Sequence, residues 1–424
     1  MKRVFICTPT HATQGGVERI LEALASGLPS RGYDVVFGLA RGARFHDPER
    51  FRAAMPAIRG IDIDGTSGTR YGRRRALRRA IVDADPDVVL IARMFDAYPV
   101  SAALKHEGHR LRLAVTVQAY EPEYVSDVRM WADWLDLCVT SGQLIAQAIE
   151  RFTTLPRERV RSIPGGVASP SRFTRHDDTR PLRIGYAGRL EQRQKRALDL
   201  IALEAELRRR GLAFTLDVAG DGSAAEELRA RLPDARFHGW LSREELYTGV
   251  YPELDVLVHF AEWEGITIAP REAMAHGVVP VVSRFTGSEV EREFVDGENA
   301  MLFPVGDVVA AADAIERLQR DRALLKHLSA AARASQTGIR SHEGAIDAWA
   351  EAFELALTAP QRRGPSLPPA SRDRGRLAPL PSALVERIRR ARRVPHGDPG
   401  SEWPHWSGQG DEELLAELRR FGGL

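Results

Sequence analysis

The sequence predicts an α/β protein of two Rossmann-like domains, followed by a proline- and arginine-rich extension. Three observations point to it. Short aliphatic runs alternate with longer segments of helical period, the pattern of βαβ units that build parallel sheets. The chain, at 424 residues, is too long for one ordinary core. A polar stretch after Ile163-Pro164-Gly165-Gly166-Val167, running to about Arg180, interrupts the alternation, which then restarts.

In the first half, Val4-Phe5-Ile6-Cys7 opens as a strand, and 35–39, 88–91, 113–117 and 137–139 follow as further strands, with 17–28 and 71–83 helical. These define a first domain over 1–168, to which a helix at 342–358 crosses back. In the second half, strands at 182–187, 214–219, 256–260 and 278–282 alternate with helices at 197–210, 224–231, 269–276 and 308–320, giving a second domain over 181–341. Beyond 359 prolines and arginines dominate, and the extension 359–424 is expected to be partly flexible, carrying short docking helices at 383–393 and 411–421.

Composition narrows the function. With 60 basic against 58 acidic residues the net charge is +2, which does not mark a nucleic-acid binder. No apolar run approaches the roughly 20 residues of a membrane span, and the opening segment is too short for a signal-peptide core, so a cytoplasmic protein is expected. The basic segment Arg70-Tyr71-Gly72-Arg73-Arg74-Arg75-Ala76-Leu77-Arg78-Arg79 reads as a solvated helix face, with peripheral contact at the inner face of the membrane as its functional alternative. Cys7 and Cys138 both lie in apolar segments and read as reduced core residues. Only Lys2, Lys105, Lys195 and Lys326 are lysines, so a lysine inside a motif carries weight.

The strongest chemical signal is Glu264-Gly265-Ile266-Thr267-Ile268-Ala269-Pro270-Arg271-Glu272-Ala273-Met274-Ala275-His276-Gly277, followed by Val278-Val279-Pro280-Val281-Val282. It places a helix N-terminus at the carboxyl end of a strand, where amides near Ile266 and Thr267 can hold a diphosphate. Glu264 and Glu272 flank that anion site, about 12 Å apart if the span is mostly helical. A second segment, Ile184-Gly185-Tyr186-Ala187-Gly188-Arg189-Leu190 with Lys195 beyond it, is a strand ending in a tight turn and bearing two cations. Leu216-Asp217-Val218-Ala219-Gly220-Asp221-Gly222 and Phe237-His238-Gly239-Trp240-Leu241 add glycine turns. Gly15-Gly16 joins the first strand to the first helix, where freed amides can approach a phosphate or sugar.

Together these strings resemble the Glu-x7-Glu signature, the Gly-Arg-Leu…Lys element, the Gly-Asp-Gly turn and the Gly-Gly loop of the retaining glycosyltransferase family 4, which has the GT-B fold, and so imply two Rossmann-like domains facing across a cleft. The resemblance spans about 1–357 and is densest over 183–307. It implies a transferase that moves a sugar from a nucleoside-diphosphate sugar to an acceptor hydroxyl with retention of configuration, the acceptor being a glycan, glycolipid or secondary metabolite. It further implies that Glu264 positions the donor sugar, Glu272 binds the ribose, and Arg189 with Lys195 stabilises the departing diphosphate. Gly15, Gly16, Ile266, Thr267 and Gln118 would then belong to the donor site. No cofactor, no metal and no nucleic acid are implied. This chain departs from the family at Thr267 and Arg196, where glycine is usual, and at Gln118-Ala119-Tyr120-Glu121, where a histidine is common; glutamine can hydrogen-bond a sugar but cannot carry a proton at neutral pH.

Three other readings compete. Asp62-Ile63-Asp64 suggests a metal-dependent sugar-nucleotide transferase. The doubly wound pattern alone fits a dinucleotide oxidoreductase, but no Gly-x-Gly-x-x-Gly follows the first strand. A non-catalytic nucleotide-sugar-binding protein would share the cleft, though not a need for Arg189, Lys195, Glu264 and Glu272 together.

Overall fold

The computed structural model describes residues 1–367, 384, 387–388, 397–408 and 411–423, apart from 175, 178 and 266. The chain divides into two units, one of residues 1–165 and 345–424, the other of residues 166–344.

In the first unit seven strands, β1 (Lys2–Thr8), β2 (Tyr33–Arg41), β3 (Gly60–Asp64), β4 (Val88–Ala92), β5 (Arg112–Val117), β6 (Leu137–Thr140) and β7 (Val160–Ser162), form a sheet in the order β3-β2-β1-β4-β5-β6-β7. Every pairing is parallel. Val4 to Cys7 and the whole of β4 are buried, which is why they read as unbroken apolar runs rather than as alternation. The order reverses between β1 and β4, and the loops leaving those strands flank a topological switch point. Cys7 and Cys138 are buried and unpaired, and burial pushes both thiols up.

Helix His342–Thr358 lies on this unit. Gly27 meets Ile346, Tyr33 Oη donates to Glu354 at 2.7 Å, and Arg112 Nε donates to the Ala356 carbonyl at 2.8 Å. The chain beyond stays with it: Arg362 N donates to Asp136, which also pairs with the fully buried Lys105 at 2.5 Å. The candidate helix 383–393 lies almost wholly outside the described residues. Helix Glu412–Gly422, by contrast, is present and packs on helices Pro122–Trp131 and Gln143–Phe152, with Tyr120 Oη donating to the Leu418 carbonyl at 2.6 Å.

In the second unit β8 (Leu182–Ala187), β9 (Phe214–Ala219), β10 (Arg236–Gly239), β11 (Val256–His259), β12 (Val279–Ser283) and β13 (Met301–Phe303) run parallel in the order β10-β9-β8-β11-β12-β13. The reversal falls between β8 and β11. Leu182, Ile184, Val256, Val258, Val279 and Val281 build the centre of a core against helices Asp199–Arg209 and Val308–Arg320. The polar stretch before β8 is anchored by Asp255, whose carboxylate accepts from Arg180 at 2.8 Å and from the Arg183 amide at 2.9 Å, with His176 Nδ1 at 2.9 Å. Those partners outweigh burial and hold its carboxyl pKa well below the usual carboxylate range.

Candidate active site

The second unit's switch point assembles the strongest sequence signals. β8 ends at Ala187 and turns through Gly188, a turn fastened by Tyr186 Oη donating to the Arg189 carbonyl at 3.0 Å. β11 ends at His259, and the following loop carries Glu264. Lys195 Nζ donates to Glu264 Oε1 at 2.5 Å, and His259 Nε2 lies 2.8 Å from the same oxygen. Burial opposes ionisation of Glu264, but Lys195 first and His259 next overcome it and hold the carboxyl at about 2. Glu264 is therefore an anion at neutral pH, placed beside a cation.

Arg189 is exposed and donates to Gln194 Oε1 at 2.8 Å. Gln194 Nε2 in turn donates to the Trp263 carbonyl at 3.0 Å, and the Gln194 carbonyl accepts from the Glu262 amide at 2.9 Å. Gln194 thus couples the loop after β8 to the loop after β11. Nothing in its local string marks Gln194, although it adjoins Lys195. The glycines at 220 and 222 allow the loop after β9 to lie on the first: a Cβ on Gly220 would sit 1.9 Å from the Gly188 carbonyl oxygen.

Helix Ile268–His276 starts later than a mostly helical span from Glu264 to Glu272 requires, so the first part of that span is loop and the 12 Å expectation does not transfer. Thr267 is its N-cap residue. The Thr267 hydroxyl donates to Glu293 Oε2, and Arg271 Nε lies 2.6 Å from the other oxygen of Glu293. Pro270 has no amide to offer, leaving those of Ile268 and Ala269 at the tip. Ile266 lies outside the described residues. Glu272 is buried on the helix, accepting from Tyr251 Oη at 3.0 Å. His259, Tyr251 and Glu293 were not singled out by sequence, since their roles depend on contacts made across the fold.

In the first unit Gly15 is the N-cap of helix Gly16–Gly27, with φ 143°, and its carbonyl accepts from the Arg19 amide at 3.1 Å. A side chain at Gly15 would be strained and would strike Glu18, 2.7 Å from the Cβ position. Glu18 is paired with Arg93. Gln118, at the end of β5, is buried; its amide nitrogen donates to the Thr116 hydroxyl, while its Oε1 has no partner among the described residues. Asp62 is occupied by Arg41 and Arg52, at 2.5 and 2.6 Å, and among the described residues no group of three or more His, Cys, Asp or Glu is arranged to hold a metal ion. The basic helix, Arg70–Ala84, turns Arg73 and Arg74 inward onto Asp96, each at 2.7 Å, and pairs Arg78 with Glu107 at 2.6 Å. Among the described residues no helix is long and apolar enough to cross a membrane.

Two family models match the chain, Glycosyltransferase Family 4 over residues 14–169 and Glycosyl transferases group 1 over residues 181–321. A GDP-mannose-dependent alpha-mannosyltransferase of Corynebacterium glutamicum is 34% identical over 128 residues, covering 29% of this chain and 28% of its own. A putative glycosyltransferase EpsF of Bacillus subtilis is 28% identical over 183 residues, covering 36% and 47%. The chain thus spans less than half the length of these curated relatives. Among solved structures, Anabaena Alr3699/HepE in complex with UDP superposes with a TM-score of 0.68 at 18% identity over 84% of this chain and 100% of its own. The lipopolysaccharide outer core galactosyltransferase WaaB, apo form, gives 0.64 at 17% over 84% and 99%. With two parallel Rossmann-like sheets and both family domains in order, the chain belongs to the glycosyltransferases of GT-B fold.

Proposed function

We propose that this protein transfers a glycosyl group from a nucleoside-diphosphate sugar to an acceptor hydroxyl with retention of configuration, the acceptor being a glycan, glycolipid or secondary metabolite. The observation that carries the reading is the Lys195–Glu264 pair at the carboxyl ends of the strands flanking the second switch point. Neighbouring structures hold UDP and UDP-glucose, and a sequence relative is named for GDP-mannose, which supports a nucleotide-sugar donor.

In this reaction the helix tip at Ile268 and Ala269, with Lys195 and Arg189, receives the diphosphate. As the bond from the anomeric carbon to the phosphate oxygen breaks, those cations take up the negative charge that develops on the leaving group. The acceptor oxygen bonds to the same face of the anomeric carbon and its proton passes to the departing phosphate. Glu264, already ionised, accepts hydrogen bonds from sugar hydroxyls, and Glu272 accepts from the ribose. The positive charge comes from side chains, so the reaction is proposed to need no metal or other cofactor.

A panel of UDP-, GDP- and ADP-sugars tests the reading through thermal stabilisation and then transfer. A ligand well above its dissociation constant raises stability by about 3 kcal/mol. One nucleotide series is expected to stabilise, and the product to keep the donor's anomeric configuration by NMR. Stabilisation by none, or an inverted product, would overturn it.

A further inference from the structure

The C-terminal segment is built into the first unit at that unit's own switch point. Glu402 is fully buried and accepts from the amides of Ala43 at 2.5 Å, Arg44 at 2.9 Å, Phe45 at 2.9 Å and His46 at 3.1 Å, and it lies 2.8 Å from His46 Nδ1. Trp403 is equally buried, donating from its indole to the Arg41 carbonyl at 3.2 Å beneath the Arg73 guanidinium. Room for both is left by glycines: a Cβ on Gly42 would meet Glu402 at 2.0 Å, and one on Gly65 would meet the Trp403 ring at 2.5 Å. The Pro404 carbonyl accepts from the Phe95 amide at 2.9 Å, and the Ser407 amide donates to Asp127 at 3.0 Å.

This docking sets His405 against two histidines from separate loops. His11, from the loop after β1, stacks on His405 with ring centroids 5.0 Å apart and meets His46, from the loop after β2, edge-on at 5.2 Å. Arg93 follows β4. Four buried nitrogens here, His11 Nδ1, His46 Nε2, His405 Nε2 and Arg93 Nε, have no partner among the described residues. His46 is itself only 3% exposed. Leaving such atoms unpaired costs about 1–3 kcal/mol each, so a polar occupant is called for.

The chemistry of the nitrogens selects the occupant. With His46 Nδ1 turned to a carboxylate, its Nε2 presents a lone pair when the ring is neutral. Burial, then the neighbouring histidines and Arg93, lowers His11 to about 3, and burial and Arg93 lower His405 to about 4, so both are neutral at pH 7. Neutral rings and a guanidinium N–H present lone pairs and donors together. Hydroxyl groups match both kinds without adding charge, whereas a fully ionised anion offers only acceptors. Metal chelation fits poorly, because the rings of His11 and His405 are only 29° from coplanar orientation and stacked, not aimed at one point.

We propose that residues 398–407 complete a hydroxyl-recognising pocket at the first unit's switch point, where His11, His46, His405 and Arg93 hold a carbohydrate portion of the acceptor. Its assignment to the acceptor rests on the transfer reaction proposed above; the pocket's recognition of hydroxyls does not.

The test uses the full chain with ¹⁵N-labelled histidine. Methyl α-D-glucopyranoside and methyl α-D-mannopyranoside, inorganic phosphate and zinc chloride are added in separate titrations and the imidazole resonances followed. Either glycoside is expected to shift His11, His46 and His405 saturably, with phosphate and zinc without effect on them. His405→Gln is expected to weaken that glycoside's binding about tenfold, the loss of one ligand hydrogen bond. Silence toward both glycosides, or a response to phosphate or zinc alone, overturns the proposal, and this arm needs no variant to fold. Thermal stabilisation by UDP or GDP, read on the same sample, reports separately on the donor site of the second unit. Glycoside shifts without any nucleotide effect would therefore retain the pocket and count against the transferase reading.

Discussion

Lys195 and Glu264 form an ion pair of 2.5 Å between the loops that leave β8 and β11, and each side chain is at most 15% exposed. The two motifs that stood out separately in the sequence meet in that bond. A partly buried pair of this kind yields little net stability, because desolvation offsets most of the attraction. Its value in the proposed reaction is positional. A diphosphate oxygen is the stronger partner for Lys195, and a carboxylate relieved of that bond can turn its acceptor capacity to sugar hydroxyls.

Replacing Lys195 with Ala is expected to lower kcat at least about 10²-fold, the scale of losing one stabiliser of developing charge. The same change removes the principal cause that holds Glu264 near 2. Glu264 then keeps its proton to higher pH, so the acid limb of the kcat profile moves upward. Stopped assays from pH 4 to 8 read both effects. A variant with near-normal turnover removes Lys195 from the mechanism.

Gln194→Ala deletes the bonds to Arg189 and to the Trp263 carbonyl that tie the two loops together. Two hydrogen bonds of about 1 kcal/mol each translate to a fall in kcat/KM for the donor of roughly tenfold or more. Steady-state kinetics measure it, and an unchanged kcat/KM would show that the coupling has no consequence for the site.

Transfer is expected to survive EDTA unchanged, since the positive charge facing the leaving group is assigned to Lys195 and Arg189. Loss of activity in chelator that returns with added magnesium or manganese would contradict this assignment.

Asp127 gives the fold a pH signature. Burial pushes its carboxyl up to about 7 from an ordinary 3.8, although Ser407 donates to it. Between those values the unfolded chain has released a proton that the folded chain retains, so stability falls as pH rises from about 4 to 7 and levels off above. Asp127→Asn keeps an acceptor for Ser407 and removes the loss, which is at most about 4 kcal/mol. Chemical denaturation at pH 4, pH 5 and pH 8 should show the variant gaining little on the wild type at pH 4, more at pH 5 and most at pH 8.

How much was legible in the sequence follows from how local each feature is. Val4 to Cys7 and β4 announce themselves because both faces of their strands are buried. The short edge strands β3, β7 and β13 carry too few residues to show a period. Helix Arg322–Ala334 was missed because a single residue separates it from its predecessor: Asp321 ends helix Val308–Arg320 and also caps the next, accepting from the Leu324 amide at 2.8 Å. In the site, Glu264 and Lys195 lie within recognisable strings, whereas Glu293 and Tyr251 act on Thr267 and Glu272 from other elements. Lys105 is scarce by type, as Lys195 is, yet it is a buried structural partner of Asp136. The extension was legible in part. Its composition suggested partial flexibility with short docking helices, and helix Glu412–Gly422 does dock, but the burial of Glu402 and Trp403 has no local signal, because the glycines that make room for them lie far back in the chain.

Glu402→Gln tests that anchoring most directly. The carboxylate sits where four successive amides and His46 converge, and these partners overcome its burial to hold it at about 2. A neutral amide must turn one N–H₂ edge toward groups that are themselves donors, so the substitution leaves donors opposed as well as a charge lost. Breaking one side of a buried charged network costs about 3–5 kcal/mol. The wild-type contribution is present in full above the ordinary value of 4.5 and is lost as pH falls through about 2. Denaturation at pH 7 should therefore show the full loss in Glu402→Gln, and the gap from wild type should narrow toward pH 2. Equal stability at pH 7 would mean that the segment carrying Glu402 is not held in this place.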